Sequence, residues 1–245
     1  MSFADHFSTI AARYAAYRPT YPSALVDELA ARCTPGTAWD VGCGNGQLSV
    51  ALAERFARVI ATDPSQAQID AAPAHPRVEY ACSPAEQSGL ADASADLIVA
   101  AQAAHWFDWP RFVVEAGRIA KPGALIALVS YGIVIVGGDV DREIEHYYRN
   151  IVGPYWPPGR EHVENGYRDL AMPWPAVDAP AIDMRAAWTR EELLGYVSTW
   201  SATVKLVESV GPAPLQALHD ALARMWPDEE RREIRWPLAL RFARC

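Results

Sequence analysis

The sequence has 245 residues, of which 51% are hydrophobic and 21% charged, and its formal net charge is −8 at pH 7. A chain of this size and composition can bury the core of one globular α/β domain. Its acidic balance and its lack of a Lys/Arg block argue against general nucleic-acid binding. The first 22 residues have no signal-peptide core, and no apolar run is long enough to cross a bilayer. We therefore expect a cytoplasmic protein without nucleic-acid or membrane partners. The sequence does not fix its oligomeric state.

The four cysteines show no metal-binding pattern. Cys33, Cys43, Cys82 and Cys245 have neither C-x-x-C nor any other metal-ligand spacing. We expect reduced thiols and no bound metal.

Helical and strand-like segments alternate along the chain. The pattern predicts helices over 5–17, 23–33, 47–56, 139–152, 190–202 and 214–226, and one that begins at Asp108-Trp109-Pro110. It predicts strands near 37–42, 58–63, 77–82, 96–101, 124–130, 183–189 and 232–243, the last weakened by Pro237. Such alternation is typical of a parallel sheet with right-handed crossovers. We predict an α/β fold with a doubly wound, mostly parallel, seven-stranded sheet.

The most specific motif ends the first predicted strand and reads Asp40-Val41-Gly42-Cys43-Gly44-Asn45-Gly46. Glycines at this spacing let the backbone turn tightly and approach a ligand closely. A dinucleotide fingerprint places its third glycine five residues after the first, whereas here Gly46 follows Gly42 by four. Asp40 would also repel a pyrophosphate. The loop, with Asp40, Gly42 and Gly44, predicts a positively charged nucleoside cofactor, and S-adenosylmethionine carries both an ammonium and a sulfonium.

A second acidic residue ends the next predicted strand. Asp63 lies 21 residues after Gly42, at the end of Val59-Ile60-Ala61-Thr62. In open α/β sheets, an acid at this place accepts hydrogen bonds from the ribose hydroxyls of a nucleoside. The alternative is that Asp63, followed by Pro64 and Ser65, only caps the next helix. The two roles are compatible, and we assign Asp63 and Pro64 to the cofactor site.

Several segments, in order, resemble one family. The Asp40–Gly46 loop and Asp63 look like the first two motifs of class I S-adenosylmethionine-dependent methyltransferases. The segment Cys82–Glu86 resembles the loop after the third strand of that family, Asp96–Gln102 its fourth strand, and Gly117–Leu125 the approach to its fifth. The resemblance implies S-adenosyl-L-methionine as cofactor and S-adenosyl-L-homocysteine as product.

The resemblance also implies how adenine would be held. Many relatives carry an acid just before the position of Ala85, and here that place is Pro84. The backbone N–H groups of Ala85 and Glu86 are therefore the expected adenine contacts.

The resemblance can be narrowed to the small-molecule branch called type 11. The segments Ala101–Asp108, Tyr14–Pro22 and Thr199–Ala202 look like this branch, and within it like trans-aconitate methyltransferase-like proteins. The match covers most of the chain, and its early motifs are the more specific ones.

The composition changes after Gly138. Residues 153–182 are rich in proline and contain Tyr155, Trp156, Tyr167 and Trp174. Aromatic residues need burial, so we predict a folded insertion over the carboxyl ends of the strands and not a flexible linker. The prediction is a single domain, 1–245, with N-terminal cap helices (1–36), a cofactor-binding core (37–137), a substrate-covering insertion (138–182) and a C-terminal completion of the sheet (183–245).

Candidate residues for the chemistry follow the fourth predicted strand. Gln102 is expected to hold the methionine end of the cofactor, or else to be a structural amide. His105 is a candidate base or acceptor-orienting donor, with a structural histidine as the alternative. Trp106 is expected to form a wall of the acceptor pocket or part of the core. Few other side chains are required, because a sulfonium already activates the methyl group and the enzyme mainly aligns the acceptor.

Further candidates come from the N-terminal helix and the insertion. The resemblance implies that the helix with Tyr14, Tyr17 and Arg18 covers the cofactor, with Tyr14 contacting the cofactor and the other two the acceptor. Arg18 is a candidate for bidentate pairing with a carboxylate, from the methionine end or from an acidic acceptor, with an ordinary surface arginine as the alternative. Arg160 is a less favoured candidate for the same role. A carboxylate acceptor is ionised at neutral pH and needs no base.

The function predicted from the sequence is therefore methyl transfer from S-adenosylmethionine to a small-molecule acceptor, with an oxygen or carboxylate nucleophile favoured. One alternative is a catalytically silent protein that binds S-adenosylmethionine and regulates a partner. A less favoured alternative is a nicotinamide-dependent dehydrogenase on a related sheet.

Overall fold

The computed structural model describes residues 19–245, and the predicted helix 5–17 lies outside this range. The strands are β1 Thr37–Val41, β2 Arg58–Asp63, β3 Val78–Cys82, β4 Ala95–Ala101, β5 Ala120–Tyr131, β6 Ala176–Val177, β7 Asp183–Trp188 and β8 Arg232–Arg244. The α-helices are α1 Ser23–Ala31, α2 Gln47–Leu52, α3 Gln66–Asp70, α4 Trp109–Ile119, α5 Asp139–His146, α6 Arg160–Glu164, α7 Arg190–Ser198, α8 Ser201–Val210 and α9 Ala213–Ala223. The predicted α/β fold class is confirmed.

One mixed sheet has the strand order β3-β2-β1-β4-β5-β8-β6, and β7 also pairs with β8. Strands β1 to β5 are parallel, β8 runs antiparallel to β5, and β6 runs antiparallel to β8. The order reverses at β1, which has β2 and β3 on one side and β4 and β5 on the other. Ligands of open α/β sheets bind outside the carboxyl ends of the strands at such a switch point.

The prediction of seven strands is wrong by one, because residues 19–245 contribute eight strands to the sheet. The additional strand, β6, consists of Ala176 and Val177, which pair with Ala243 and Phe242 of β8. Two residues carry no hydrophobic period, and their partners lie far along the chain. The sequence pattern therefore could not indicate this strand.

The central strands are fixed by apolar packing. In β1, Ala38, Trp39 and Val41 are fully buried. The indole N–H of Trp39 donates to Thr62 Oγ1 at 2.9 Å, so its burial leaves no polar group unpaired. Phe112 of α4 packs in the same cluster as Trp39. This packing holds the carboxyl end of β1 in place.

The predicted helix 190–202 is wrong in its extent, because the chain forms two helices that are separated at Thr199 and Trp200. The hydroxyl of Thr199 donates to the carbonyl of Tyr196 at 2.7 Å, and Trp200 has an extended backbone with ψ 134°. Hydrogen bonds from a side chain to a nearby carbonyl compete with regular helix, and here they accompany its end.

The predicted helix 139–152 consists of α5 followed by a π-helical turn, Tyr147–Ile151. A π-helical turn holds more residues per turn than an α-helix, which changes the direction of the side chains that follow. Tyr147 and Tyr148 are adjacent in the sequence, yet both are buried. The turn thus brings two consecutive aromatic rings into the interior.

The described chain divides into two compact units. The first, here called the sheet unit, contains 20–132, 161–183 and 237–245, and the second, here called the helical unit, contains Pro19, 133–160 and 184–236. The predicted insertion 138–182 is divided between them after Arg160. No helix in 19–245 is long and apolar enough to span a membrane.

Candidate active site

The loop after β1 lies at the switch point and is bonded to the end of β2. The backbone N–H groups of Gly42 and Cys43 both donate to the carbonyl of Thr62, at 2.8 and 2.9 Å. The φ angles of Gly42, Gly44 and Gly46 are 69°, 55° and 80°, in the left-handed region that favours glycine. The loop conformation therefore favours glycine at all three positions.

The three glycines differ in what surrounds them. A Cβ at Gly42 would lie 2.5 Å from Ala103 Cβ, on the turn after β4, and a Cβ at Gly46 would overlap the hydroxyl of Tyr80. At Gly44 the nearest atom is the side-chain oxygen of a glutamine on α3, 3.9 Å away. Gly42 and Gly46 are thus needed for internal packing as well, and Gly44 leaves open space beside the loop.

The carboxylate of Asp63 links this loop to the start of α3. Its Oδ2 accepts from the N–H of Gly44 at 2.9 Å, and its Oδ1 accepts from the N–H of Ser65 at 2.9 Å. Ser65 is the N-cap residue of α3, so Asp63 forms a turn before the helix and is not its cap. Each carboxylate oxygen has a second lone pair available for a ligand. Pro64 is exposed at the same turn.

Asp40 lies beneath the loop and is only 1% exposed. Its Oδ2 accepts from the hydroxyl of Ser49 at 2.6 Å. Burial raises the pKa of Asp40 from 3.8 to about 7; the Ser49 hydrogen bond opposes this rise, and the charge of Asp63 adds to it. A nearby cation would favour the ionised form of this carboxyl.

The loop after β3 borders the same edge of the sheet. The N–H of Ser83 donates to the carbonyl of Asp63 at 3.1 Å. Ala85 is buried, and Oε1 of Glu86 accepts from the N–H of Asp108 at 2.7 Å, which gives the Glu86 side chain a structural role. Within 19–245 the backbone N–H groups of Ala85 and Glu86 donate to no protein acceptor.

Glu115 of α4 anchors the loop after β3 from below. Its Oε1 accepts from the N–H and the hydroxyl of Ser88, at 2.8 and 2.7 Å. The hydrogen bond from Arg118 and those from Ser88 lower the pKa of Glu115 to about 2. Sequence reasoning missed the contact between Glu115 and Ser88, because Glu and Arg residues are common on helices and do not by themselves indicate a partner elsewhere in the chain.

Gln102 is the first residue after β4 and has a φ of 55°, which is unusual for a residue other than glycine. Its N–H donates to the carbonyl of Val129, and its side-chain Nε2 donates to the carbonyl of Tyr131 at 2.7 Å. The amide oxygen has no partner among the described residues. The side chain is therefore held in place and presents an acceptor atom that suits an ammonium.

The 3-10 turn Ala104–Trp106 carries His105 and Trp106. Trp106 is 61% exposed, so its predicted alternative as a core residue is wrong. Nδ1 of His105 lies 3.0 Å from the hydroxyl of Tyr167. Sequence reasoning missed the contact between Tyr167 and His105, because only the fold brings residues 62 positions apart together.

Arg160 belongs to the helical unit, where two aromatic residues hold it. Its guanidinium carbon lies 4.3 Å from the ring centroid of Trp156 and 5.3 Å from that of Tyr148. Its Nε donates to the hydroxyl of Tyr148 at 2.6 Å. The two terminal nitrogens of Arg160 have no partner in the described part of the chain. They form a fork that suits a carboxylate.

The remaining predicted site residues, Tyr14, Tyr17 and Arg18, lie outside the described residues. Burial raises the pKa of the Cys43 thiol well above its usual range, which makes it a poor nucleophile. Residues 19–245 contain no group of three His, Cys, Asp or Glu side chains placed to hold a metal ion.

Comparison with known proteins gives consistent matches. Residues 39–128 match the family model described as a methyltransferase domain. A Dictyostelium discoideum protein provisionally described as a methyltransferase is 32% identical over 229 residues, covering 91% of this chain and 87% of that protein. The malonyl-[acyl-carrier protein] O-methyltransferase of Hahella chejuensis is 36% identical over 129 residues, covering 49% of this chain and 46% of that protein.

A solved structure from Anaeromyxobacter dehalogenans, provisionally described as a type II methyltransferase, is similar over nearly the whole chain. It has a TM-score of 0.88 and 44% identity, and the match covers 94% of this chain and 98% of that one. The narrower resemblance to trans-aconitate methyltransferase-like proteins stays a prediction. The two matches that cover more than nine-tenths of this chain and the family model agree with the motifs at the switch point, and the chain belongs to the class I S-adenosylmethionine-dependent methyltransferases of the type 11 branch.

Proposed function

We propose that the protein transfers a methyl group from S-adenosyl-L-methionine to an oxygen atom of a small molecule, with a carboxylate as the favoured acceptor. The observation that carries the proposal is the joined pair of Gly44 and Asp63 at the switch point. The N–H of Gly44 donates to the carboxylate of Asp63 at 2.9 Å. Beside this hydrogen bond, a Cβ at Gly44 would have no neighbour closer than 3.9 Å, and each carboxylate oxygen of Asp63 keeps a second lone pair. This arrangement suits a ribose that approaches the backbone closely.

Other groups at the same edge support the choice of donor. The amide oxygen of Gln102 suits the ammonium of the methionine end, and Asp40 lies beneath the loop, where a bound cation would favour its ionised form. The N–H groups of Ala85 and Glu86 suit the acceptor edge of an adenine. When bound, S-adenosylmethionine supplies a methyl group that its sulfonium already activates, and these residues bind and orient it.

The acceptor side supports an ionised oxygen nucleophile. A carboxylate has lost its proton at neutral pH, so no base is required. In the helical unit, Arg160 is held by Tyr148 and Trp156, and its terminal nitrogens have no partner within residues 19–245, which suits a carboxylate. The relative from Hahella chejuensis is named an O-methyltransferase, which also supports oxygen as the acceptor atom.

The proposal also covers the localisation of the protein, its partners and the remaining site residues. We propose a cytoplasmic enzyme that uses no metal and has neither a nucleic-acid nor a membrane partner. Trp106, Tyr17, Arg18 and Arg160 are its acceptor-side residues, and Tyr14 is an additional cofactor contact.

Calorimetric titration with S-adenosylmethionine, S-adenosylhomocysteine and NAD tests the donor. Asp63→Asn is expected to weaken binding of S-adenosylmethionine by about 1–3 kcal/mol, because ribose hydroxyls lose a charged acceptor. Asp70→Asn is the matched control, since Asp70 is exposed on α3 and, within residues 19–245, bonds only to Gln66. Tight binding of NAD, or equal affinity for the two variants, would contradict the proposal.

Cys82 offers a second measure of cofactor binding that needs no mutation. It is the only exposed cysteine of the four, and its Sγ donates to the carbonyl of Pro64 at 3.4 Å. We expect S-adenosylhomocysteine to slow alkylation of Cys82 by iodoacetamide, whereas that of Cys33 and Cys245 should not change. Unprotected Cys82 at saturating ligand would argue against a ribose beside Asp63.

Turnover separates the enzyme from a silent binding protein. The protein is incubated with methyl-labelled S-adenosylmethionine and a metabolite extract, and labelled products are identified by mass spectrometry. A methyl ester or ether is the expected product. Binding without any labelled product would favour the regulatory alternative, and a labelled amine or thiol would overturn the oxygen acceptor.

A further inference from the structure

Tyr167 and His105 form a contact to which the proposed function assigns no role. Tyr167 is fully buried, and its hydroxyl lies 3.0 Å from Nδ1 of His105. The two rings are nearly parallel, with an interplanar angle of 19° and centroids 6.2 Å apart. Both residues belong to the sheet unit.

The backbone that carries Tyr167 is held on several sides. Gly166 and Tyr167 have φ angles of 63° and 60°, and a bulky residue adopts this region only where its surroundings impose it. The N–H of Tyr167 donates to the carbonyl of His162 at 2.7 Å, and Arg241 of β8 donates to the carbonyls of Tyr167 and Leu170. The hydroxyl of Tyr167 is thus offered at a fixed position.

His105 lies close to the glycine loop. Ala103 and Phe107, two positions before and after it, lie beside that loop, because a Cβ at Gly42 would lie 2.5 Å from Ala103 and 3.4 Å from the ring of Phe107. A change in how His105 is held would therefore act near the proposed cofactor site.

The hydrogen bond decides which chemistry His105 can perform. A neutral imidazole has one N–H donor and one acceptor nitrogen, and a partner on one nitrogen sets the state of the other. A phenol donates more readily than it accepts. When the Tyr167 hydroxyl donates to Nδ1, the ring proton lies on Nε2, which then donates a hydrogen bond and cannot take up a proton.

We propose that Tyr167 is a positioning residue that fixes His105 in the Nε2–H tautomer, so that His105 orients the methyl acceptor as a hydrogen-bond donor and is not its base. This inference rests on the proposed function and deepens it. It specifies an acceptor oxygen that reaches the site already ionised, as a carboxylate does. A neutral alcohol would need a base to take its proton.

The tautomer is measured directly by NMR of protein labelled with 15N-histidine, with His105→Gln used to assign the ring signals. The wild type is expected to show the proton on Nε2. Tyr167→Phe is expected to give a mixture of tautomers, whereas Tyr80→Phe, which removes another buried hydroxyl, should leave the signals unchanged. A wild-type proton on Nδ1, or an unchanged Tyr167→Phe spectrum, would overturn the inference. The wild-type measurement stands even if a variant fails to fold.

Turnover with methyl-labelled S-adenosylmethionine and the metabolite extract gives a second test. Tyr167→Phe should lower kcat about three- to tenfold, the effect of one hydrogen bond. His105→Gln keeps a side-chain donor and should retain more activity than His105→Ala. If His105 were a base, His105→Gln would instead be as inactive as His105→Ala.

The two proposals fail in different ways. Absence of S-adenosylmethionine binding would refute the proposed function and leave the tautomer result intact, since that measurement needs no cofactor. Binding and turnover with the proton on Nδ1 would refute only the role of Tyr167.

Discussion

The sheet unit and the helical unit hold their candidate functional residues by different means. At the ends of β1 and β2, the backbone N–H of Gly44 and the carboxylate of Asp63 bond directly, which demands these residue types at a fixed spacing. In the helical unit, Arg160 is held by the ring faces of Trp156 and Tyr148. Many sequences can supply aromatic packing. The difference explains why Gly44 and Asp63 belong to a sequence motif and Arg160 does not.

Removing the centre of the aromatic packing should have the largest effect. Trp200 is 4% exposed and its ring contacts those of Tyr147, Tyr148, Trp156 and Tyr196. Trp200→Ala is expected to lower the free energy of unfolding by about 3–5 kcal/mol, because it leaves a cavity. Urea denaturation measures this loss. Trp200→Phe, the control, keeps a ring and should lose less; equal losses would mean that ring packing is not what stabilises this unit.

The buried carboxyl of the sheet unit should make stability depend on pH. The pKa of Asp40 is about 7 in the folded protein, against 3.8 for the exposed group. The folded state then binds its proton more tightly, so the free energy of unfolding falls as pH rises from about 4 through 7, by up to about 4 kcal/mol. Asp40→Asn should remove this slope, and Asp70→Asn should retain it. Identical pH profiles for wild type and Asp40→Asn would contradict the assignment.

A methyl group added at Gly44 tests whether the open space beside the glycine loop is used by a ligand. Gly44→Ala is expected to weaken S-adenosylmethionine binding by about 1–3 kcal/mol, through backbone strain at φ 55° and a methyl group in the ligand's path. Gly89→Ala is the matched control, because Gly89 has φ 75° and nothing within 4 Å of an added Cβ. Calorimetry should show normal affinity for the control. Similar losses in both would attribute the effect to strain alone.

The smallest effect concerns the hydroxyl beneath Gly46. Burial raises the pKa of Tyr80 to about 12, and its hydroxyl oxygen has no partner among the described residues. Tyr80→Phe is therefore expected to change the free energy of unfolding by less than about 1 kcal/mol, or to raise it slightly. A larger loss on urea denaturation would reveal a bound water or another partner of this hydroxyl.

The fold was predicted where local pattern and sheet pairing agree. The bounds of β2 match the predicted 58–63, and those of β1, β3 and β4 differ by one residue. Each of these strands is a short apolar run with turn-forming residues at both ends, so the pattern alone identifies it. The break at Thr199 and Trp200 was missed, because it depends on a side-chain bond to the preceding turn and on where the indole packs.

The candidate site also contains residues that the sequence predicts and residues that it does not. The positions of Gly42, Gly44 and Asp63 could be predicted because backbone geometry and charge restrict the residues that fit there. Tyr167 could not, since its contact with His105 depends on a buried left-handed turn that Arg241 holds from β8. Long-range contacts of this kind leave no spacing in the sequence.

Gln102 shows how stability and activity can oppose each other at one residue. Its left-handed backbone costs about 1–2 kcal/mol relative to glycine, and the bond from its amide to the carbonyl of Tyr131 offsets part of that cost. Glycine would relax the backbone but remove the oxygen proposed to bind the methionine ammonium. Selection for heat resistance alone would therefore tend to erode donor binding at this position, and an engineer seeking a more robust enzyme should leave Gln102 unchanged.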